Sequence, residues 1–179
     1  MRGWRMAAAM VGCALCAVAA TAQRAHRDVL TQPEIEKIRE AGIEPSLRIN
    51  LYGDFVKERV EKVVALSKRI PSVARDRKID GALQDLSSLI DELGSNLDQY
   101  GDRKADLRPA LKGLAKDSSE WLAELKAIPP AASYRLSLED ATDAEKDLVD
   151  QSMEMLKEQT TYFKLHKDQK GQERAEPEY

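Results

Sequence analysis

Cys13 and Cys16, in the stretch Cys-Ala-Leu-Cys, are the residues whose type and spacing most directly suggest chemistry. A C-x-x-C pair can cycle between dithiol and disulfide or contribute to a metal site. Their surroundings argue otherwise. Arg2 and Arg5 precede an almost unbroken apolar run from Met6 to Ala20, and Ala20-Thr21-Ala22 leads into Gln23 and a charged sequence. A positive n-region, a short apolar h-region and small residues at −3 and −1 are the parts of a secretory signal peptide. The run is also shorter than the ~20 apolar residues a membrane-crossing helix needs. Residues 1–22 are therefore expected to be an export signal cleaved between Ala22 and Gln23, which removes both cysteines and leaves no transmembrane segment in the mature chain. Haem attachment through C-x-x-C-H would need histidine where Ala17 stands. Lipidation at Cys13, behind the small Gly12, is the competing reading, although the apolar stretch that would follow the lipid is unlike a polar tether. An uncleaved membrane segment is the third.

Elsewhere the chemistry is sparse. The two histidines, His26 and His166, lie near opposite ends of the chain. There is no H-E-x-x-H, no G-x-S-x-G, no phosphate loop, and no Glu-x-x-His pair of the kind di-iron bundles use. No catalytic residue, metal ligand or cofactor is expected, and the chain reads as a non-enzyme.

Two charged groupings form a candidate interaction surface. Asp143, Asp147, Asp150 and Glu154 share one helical face, which could meet a divalent cation or a basic partner. Asp150 lies about 200° round the helix from Leu148, so this stripe is expected to face solvent. Lys68, Arg69, Arg75, Arg77 and Lys78 make a basic segment that could attach to anionic lipid or polysaccharide. The expected topology, however, sets it beside Glu139, Asp140, Asp143, Glu145 and Asp147, and mutual neutralisation is the reading we favour. Arg59, Ser118 and Gln159 interrupt otherwise apolar stripes. They suit stripe edges reaching water better than a buried polar layer or a small-ligand site.

The elements that position these residues are helical. After an N-terminal arm over 23–30, Thr31-Gln32-Pro33-Glu34 forms a capping box for a short helix ending at Ala41-Gly42. A second helix is predicted over 46–70, with Ile49, Tyr52, Val56, Arg59, Val63, Leu66 and Ile70 on its stripe and Pro71 closing it. A third, over 73–100, carries Ile79, Leu83, Leu86, Ile90, Leu93, Leu97 and Tyr100 in heptad rhythm without a polar interruption. The fourth runs from about Asp106 to Ile128 through Leu107, Leu111, Leu114, Ser118, Trp121, Leu125 and Ile128, and Pro129-Pro130 ends it. Ser137-Leu138-Glu139-Asp140 reads as the start of a fifth helix reaching His166, with Leu148, Val149, Met153, Met155, Leu156, Tyr162 and Phe163 inward. Residues 167–179 are polar and aperiodic and read as a disordered tail.

Charged residues form 33% of the chain and aromatics 5%, a balance that favours helix over strand. The fold class expected is all-α, with residues 31–166 forming an antiparallel up-down four-helix bundle of long helices and the short N-terminal helix packed at one end. "LRINLYG" at 47–53 resembles "LRPALKG" at 107–113, which raises duplication of a helical hairpin, although amphipathic helices produce such matches readily. Gly53, Gly94 and Gly113 suggest close approach of neighbouring backbones or mere tolerance.

The balance of 28 basic and 31 acidic residues argues against nucleic-acid binding. The expected function is an exported, non-enzymatic bundle, periplasmic or extracellular, with a binding, scaffolding or structural role in the cell envelope. Its partner would be an envelope protein or an anionic envelope component, and the chain a monomer or weak homo-oligomer. The alternative is a bundle that binds a small ligand or cation.

Overall fold

The computed structural model describes residues 29–169. The expected signal peptide, its cleavage residues Ala20, Ala22 and Gln23, both cysteines, His26 and most of the arm and tail lie outside them. Within that range the chain is all-α: α1 (Gln32–Glu40), α2 (Pro45–Ser67), α3 (Val73–Asp102), α4 (Arg108–Lys126) and α5 (Arg135–Leu165), then a single 3-10 turn at Lys167–Gln169. Val29 and Leu30, at the end of the expected arm, are partly buried against the core.

Helix ends follow local chemistry. Glu34 reaches back to the start of α1, where the Thr31 N–H donates to its Oε2 at 2.7 Å and the Thr31 hydroxyl donates to the same oxygen at 2.8 Å. Gly42 takes φ +63° in the turn into α2, a conformation that glycine adopts without steric cost. Ser72 caps α3 by accepting from the Arg75 N–H at 3.1 Å. Pro45 and Pro109 sit in the first turns of α2 and α4, where an N–H has no intrahelical partner to lose.

Three expectations are corrected. The second helix stops at Ser67, and Ile70, expected on the core stripe, is 88% exposed. Pro71 disfavours the α conformation at residue 70, so the last turn cannot close. The fifth helix begins at Arg135, and Ser137 does not cap it: the Ser133 and Ser137 hydroxyls instead donate across to Asp76 (2.9 Å) and Asp80 (2.5 Å) of α3. Met153, expected inside, is exposed, because the buried seam of α5 runs through Leu138, Ala141, Glu145, Leu148, Ser152, Gln159 and Phe163.

The core stripes of α3 and α4 match the heptad reading throughout. Ile79 to Tyr100 are all buried, as are Leu107, Leu111, Leu114, Ser118, Trp121, Leu125 and Ile128. Burial of each such aliphatic side chain contributes about 1.5–3 kcal/mol, so these seams dominate stability. α2 packs against α3 and α4, and α5 packs against the same two helices. α1 contacts α2 alone. It lies alongside the middle of that helix rather than across an end, because Glu34 reaches Arg59 and Lys37 sits 5.7 Å over the Phe55 ring.

Gln151 of α5 donates to the Gly94 carbonyl at 3.1 Å, the same separation of 57 residues as the two serine–aspartate bonds. A Cβ on Gly94 would stand 3.1 Å from the Gln151 amide oxygen, so this glycine makes room for a side chain rather than for a neighbouring backbone. At Gly113 a Cβ would meet nothing within 4 Å, and the close-approach reading does not apply there.

Candidate functional site

Three polar groupings within this hydrophobic interior, each built differently, stand out among the described residues. The first joins α1 to α2. Arg59 donates through Nη2 to Glu34 Oε2 at 2.8 Å and through Nη1 to Oε1, a bidentate pair on two nearly buried side chains. Burial alone would raise the Glu34 pKa, but bonds from Arg59 and Thr31 outweigh it and hold the carboxyl at about 2. Arg59 is therefore not a stripe-edge residue reaching water, as its sequence position suggested. It is the partner of a carboxylate 25 residues earlier.

The second lies where the chain passes from α3 to α4. Gln159 of α5 accepts from the Leu107 N–H at 2.8 Å and donates to the Ala105 carbonyl at 3.0 Å. One amide thus satisfies a donor and an acceptor of a buried connection that no helix can serve. Arg108 beside it stacks 4.6 Å over the Phe163 ring and pairs with Asp106 at 2.5 Å.

The third is incomplete. Glu145 is 0% exposed, and neither carboxylate oxygen has a hydrogen-bond partner. Burial pushes its pKa up to about 8, so at neutral pH it is mostly the neutral acid. Ser118 on α4 is likewise buried with its hydroxyl unpartnered. The sequence reading placed Glu145 in a surface acidic cluster; its position on the inward seam, seven residues before Ser152 and fourteen before Gln159, is the reason it is not there.

The surface groupings also resolve. Asp143, Asp147, Asp150 and Glu154 are all exposed, Asp150 pairing with Lys146 at 3.4 Å and Asp147 edging a groove between α3 and α5. Among the described residues no group of three or more His, Cys, Asp or Glu side chains could hold a metal ion. His166 stacks on Tyr162 with ring centroids 4.2 Å apart.

The basic segment makes no ion pair with the acids at the start of α5 among the described residues. Arg75 pairs with its own neighbour Asp76 at 2.8 Å and donates to the Arg69 carbonyl at 3.0 Å. Glu139 is taken by Arg135 at 2.7 Å, and Glu145 is inside. Lys68, Arg69, Arg77 and Lys78 are exposed and make no ion pair among the described residues. Between them stand Ile70 and Val73, 88% and 70% exposed. The turn from α2 to α3 therefore ends in two bare aliphatic side chains with four unpaired cations behind them.

No family model matches this chain, no curated protein matches it, and no solved structure matches it. The chemistry of these residues carries the functional argument alone. None of the helices crosses a membrane by the measure of length and apolarity among the described residues.

Proposed function

We propose that this chain is a non-enzymatic helical-bundle protein, exported to the periplasm or beyond the cell, with a binding, scaffolding or structural role in the envelope. The observation that carries the non-enzymatic part is a closed interior. Leu83, Leu86, Leu89, Leu93, Leu97, Leu107, Leu111 and Leu125 are fully buried where a substrate cleft would have to open. Glu145, the one carboxylate on those seams, has no second acid or histidine beside it to divide the work of proton transfer.

In this proposal the four long helices run up-down-up-down. Two bonds between α3 and α5, and a third from Ser133 just before α5, at one constant separation are what parallel neighbours produce. Ser46 at the start of α2 donating to the Asp106 carbonyl just before α4 fits a second parallel pair. The hairpins α2–α3 and α4–α5 then lie side by side, like helix on like helix, and residues 103–107 cross the end diagonally under the Gln159 clamp. That arrangement agrees with duplication of one hairpin. Export rests on the N-terminal signal features, and we take the chain as a monomer or weak homo-oligomer.

The deciding experiment is the intact mass of the native protein from soluble and membrane fractions of its producing cells. A soluble species beginning at Gln23 is expected. A diacylglycerol-modified species beginning at Cys13, or an unprocessed chain, would refute export as a free protein.

A second reading, a bundle that binds a small ligand or cation, draws on the unpartnered polar atoms. Eleven residues along α4 from Leu107 is Ser118, and fourteen back along α5 from Gln159 is Glu145, so in an antiparallel pair both fall near one level. Calcium, zinc, haem or anionic lipid would raise the melting temperature under this reading. An unchanged melting temperature with all four would dismiss it.

A further inference from the structure

We infer that the turn between α2 and α3 is a docking tip for the surface of an anionic lipid bilayer. The inference rests on the binding role proposed above and supplies its partner. Ile70-Pro71-Ser72-Val73 is the extremity of the helical hairpin, and its two aliphatic side chains are exposed although a packed core is one turn away. Exposed aliphatics rimmed by polar groups mark interaction surfaces.

The placement of charge selects the partner. Lys68 and Arg69 immediately precede the aliphatic pair. Arg77 and Lys78 follow Val73 by one turn of α3, about 6 to 8 Å back along the axis. Interfacial segments bury apolar groups ~5–10 Å into the headgroup–acyl boundary while cations remain among the headgroups. Ile70 and Val73 at the tip with four cations one turn behind reproduce that layering. Two of the nearby acids are paired elsewhere, Asp76 with Arg75 and Glu139 with Arg135, while Asp80 is held by the neutral Ser137 hydroxyl and keeps its charge. Asp140 stays unpaired on the first turns of α5. In a chain of net charge −3 a local excess of free cations is distinctive, and it complements anionic lipid. Leu136, 65% exposed at the start of α5, adds apolar surface on the helix bonded to α3.

A polyanion without a bilayer would use the cations and leave the aliphatics idle; a hydrophobic protein partner would do the reverse. The bilayer uses both. The tip is also independent of the core, since Ile70 and Val73 make little contact with it, so its substitution leaves the fold intact.

The test is co-sedimentation of the processed protein, as recovered from its producing cells, with vesicles of phosphatidylcholine alone and with added phosphatidylglycerol. Binding to the anionic vesicles only is expected, weakening as salt rises from 0.1 to 0.5 M. K68E/R69E/R77E/K78E should reduce partitioning by about a hundred-fold or more, from roughly five-fold per cation near the surface. Ile70→Ser with Val73→Ser should reduce it at least ten-fold, with helical circular dichroism and melting temperature unchanged. Equal binding to neutral vesicles, or retention after charge reversal, overturns the docking tip. Full binding by the serine variant assigns the segment to a soluble polyanion and overturns bilayer docking. Absence of binding to either vesicle overturns the tip while leaving the envelope role standing, because that role is decided by the intact mass and fractionation.

Discussion

Glu145 makes stability depend on pH in a direction opposite to that of most carboxylates. Below pH 4.5 its carboxyl is protonated in both folded and unfolded chains. Between 4.5 and about 8 the unfolded chain releases the proton while the native state retains it, so the free energy of unfolding falls as pH rises. Over that interval, at about 1.4 kcal/mol per pH unit, the loss amounts to about 5 kcal/mol. This is a large share of the roughly 5–15 kcal/mol that holds a domain folded. Above pH 8 the acid is ionised in both states and the loss is complete. Glu145→Gln preserves the shape and a polar terminus but cannot ionise. Urea midpoints at pH 5, 7 and 9 provide the assay. The variant should match the parent at pH 5 to within about 1 kcal/mol, since each buries one unpartnered polar group, and exceed it by several at pH 9. Parallel pH profiles for parent and variant would refute the assignment of a buried, unpaired acid.

Glu34 titrates with the opposite sign: held at about 2, it contributes stability above 4.5 that disappears as pH falls through 2, and Glu34→Gln, measured by protease cleavage in α1 at neutral pH, should speed release of that helix from α2 at a cost of about 3 kcal/mol, since it leaves the nearly buried Arg59 without its carboxylate. Together the two acids place the optimum of stability near pH 4 to 5, which a series of thermal melts would locate. Gln159→Leu leaves the Leu107 N–H and Ala105 carbonyl buried without partners, and should lower stability by about 2–4 kcal/mol in denaturant titration. Leu86→Ala empties a fully buried position on the α3 seam and should cost about 2–5 kcal/mol in the same titration.

Where periodicity alone decided an element, the sequence was legible. The α3 stripe from Ile79 to Tyr100 has no polar member, and every residue of it is buried. In α5 the inward seam carries Glu145, Ser152 and Gln159 at intervals of seven, so its apolar residues alone point to Met153 instead. Glu145 is hidden for the same reason, being a polar residue on the inward seam. A heptad count begun from Leu138 and Leu148, ignoring residue type, would have found it. Arg59 and Gln159 were visible as exceptions to their stripes, but their roles depend on Glu34, Ala105 and Leu107, between 25 and 54 residues distant. No local pattern encodes such pairings. The basic turn is legible in the sequence, but the partners taken by its neighbouring acids are not, and the exposure of Ile70 follows from the effect of Pro71 on the preceding residue rather than from the rhythm of the stripe.

The bonds that link α3 to α5 carry a consequence for the order of folding. Each helical hairpin closes a turn of only a few residues, whereas the contacts joining hairpin to hairpin span 57. Loop closure favours near partners. The hairpins should therefore assemble early, and the rate-limiting barrier should be their docking. Because Ser133, Ser137 and Gln151 act only once α3 and α5 meet, truncating them would leave refolding almost unslowed and accelerate unfolding. The resistance of the native state to opening would then draw on these three polar side chains as well as on its leucine core.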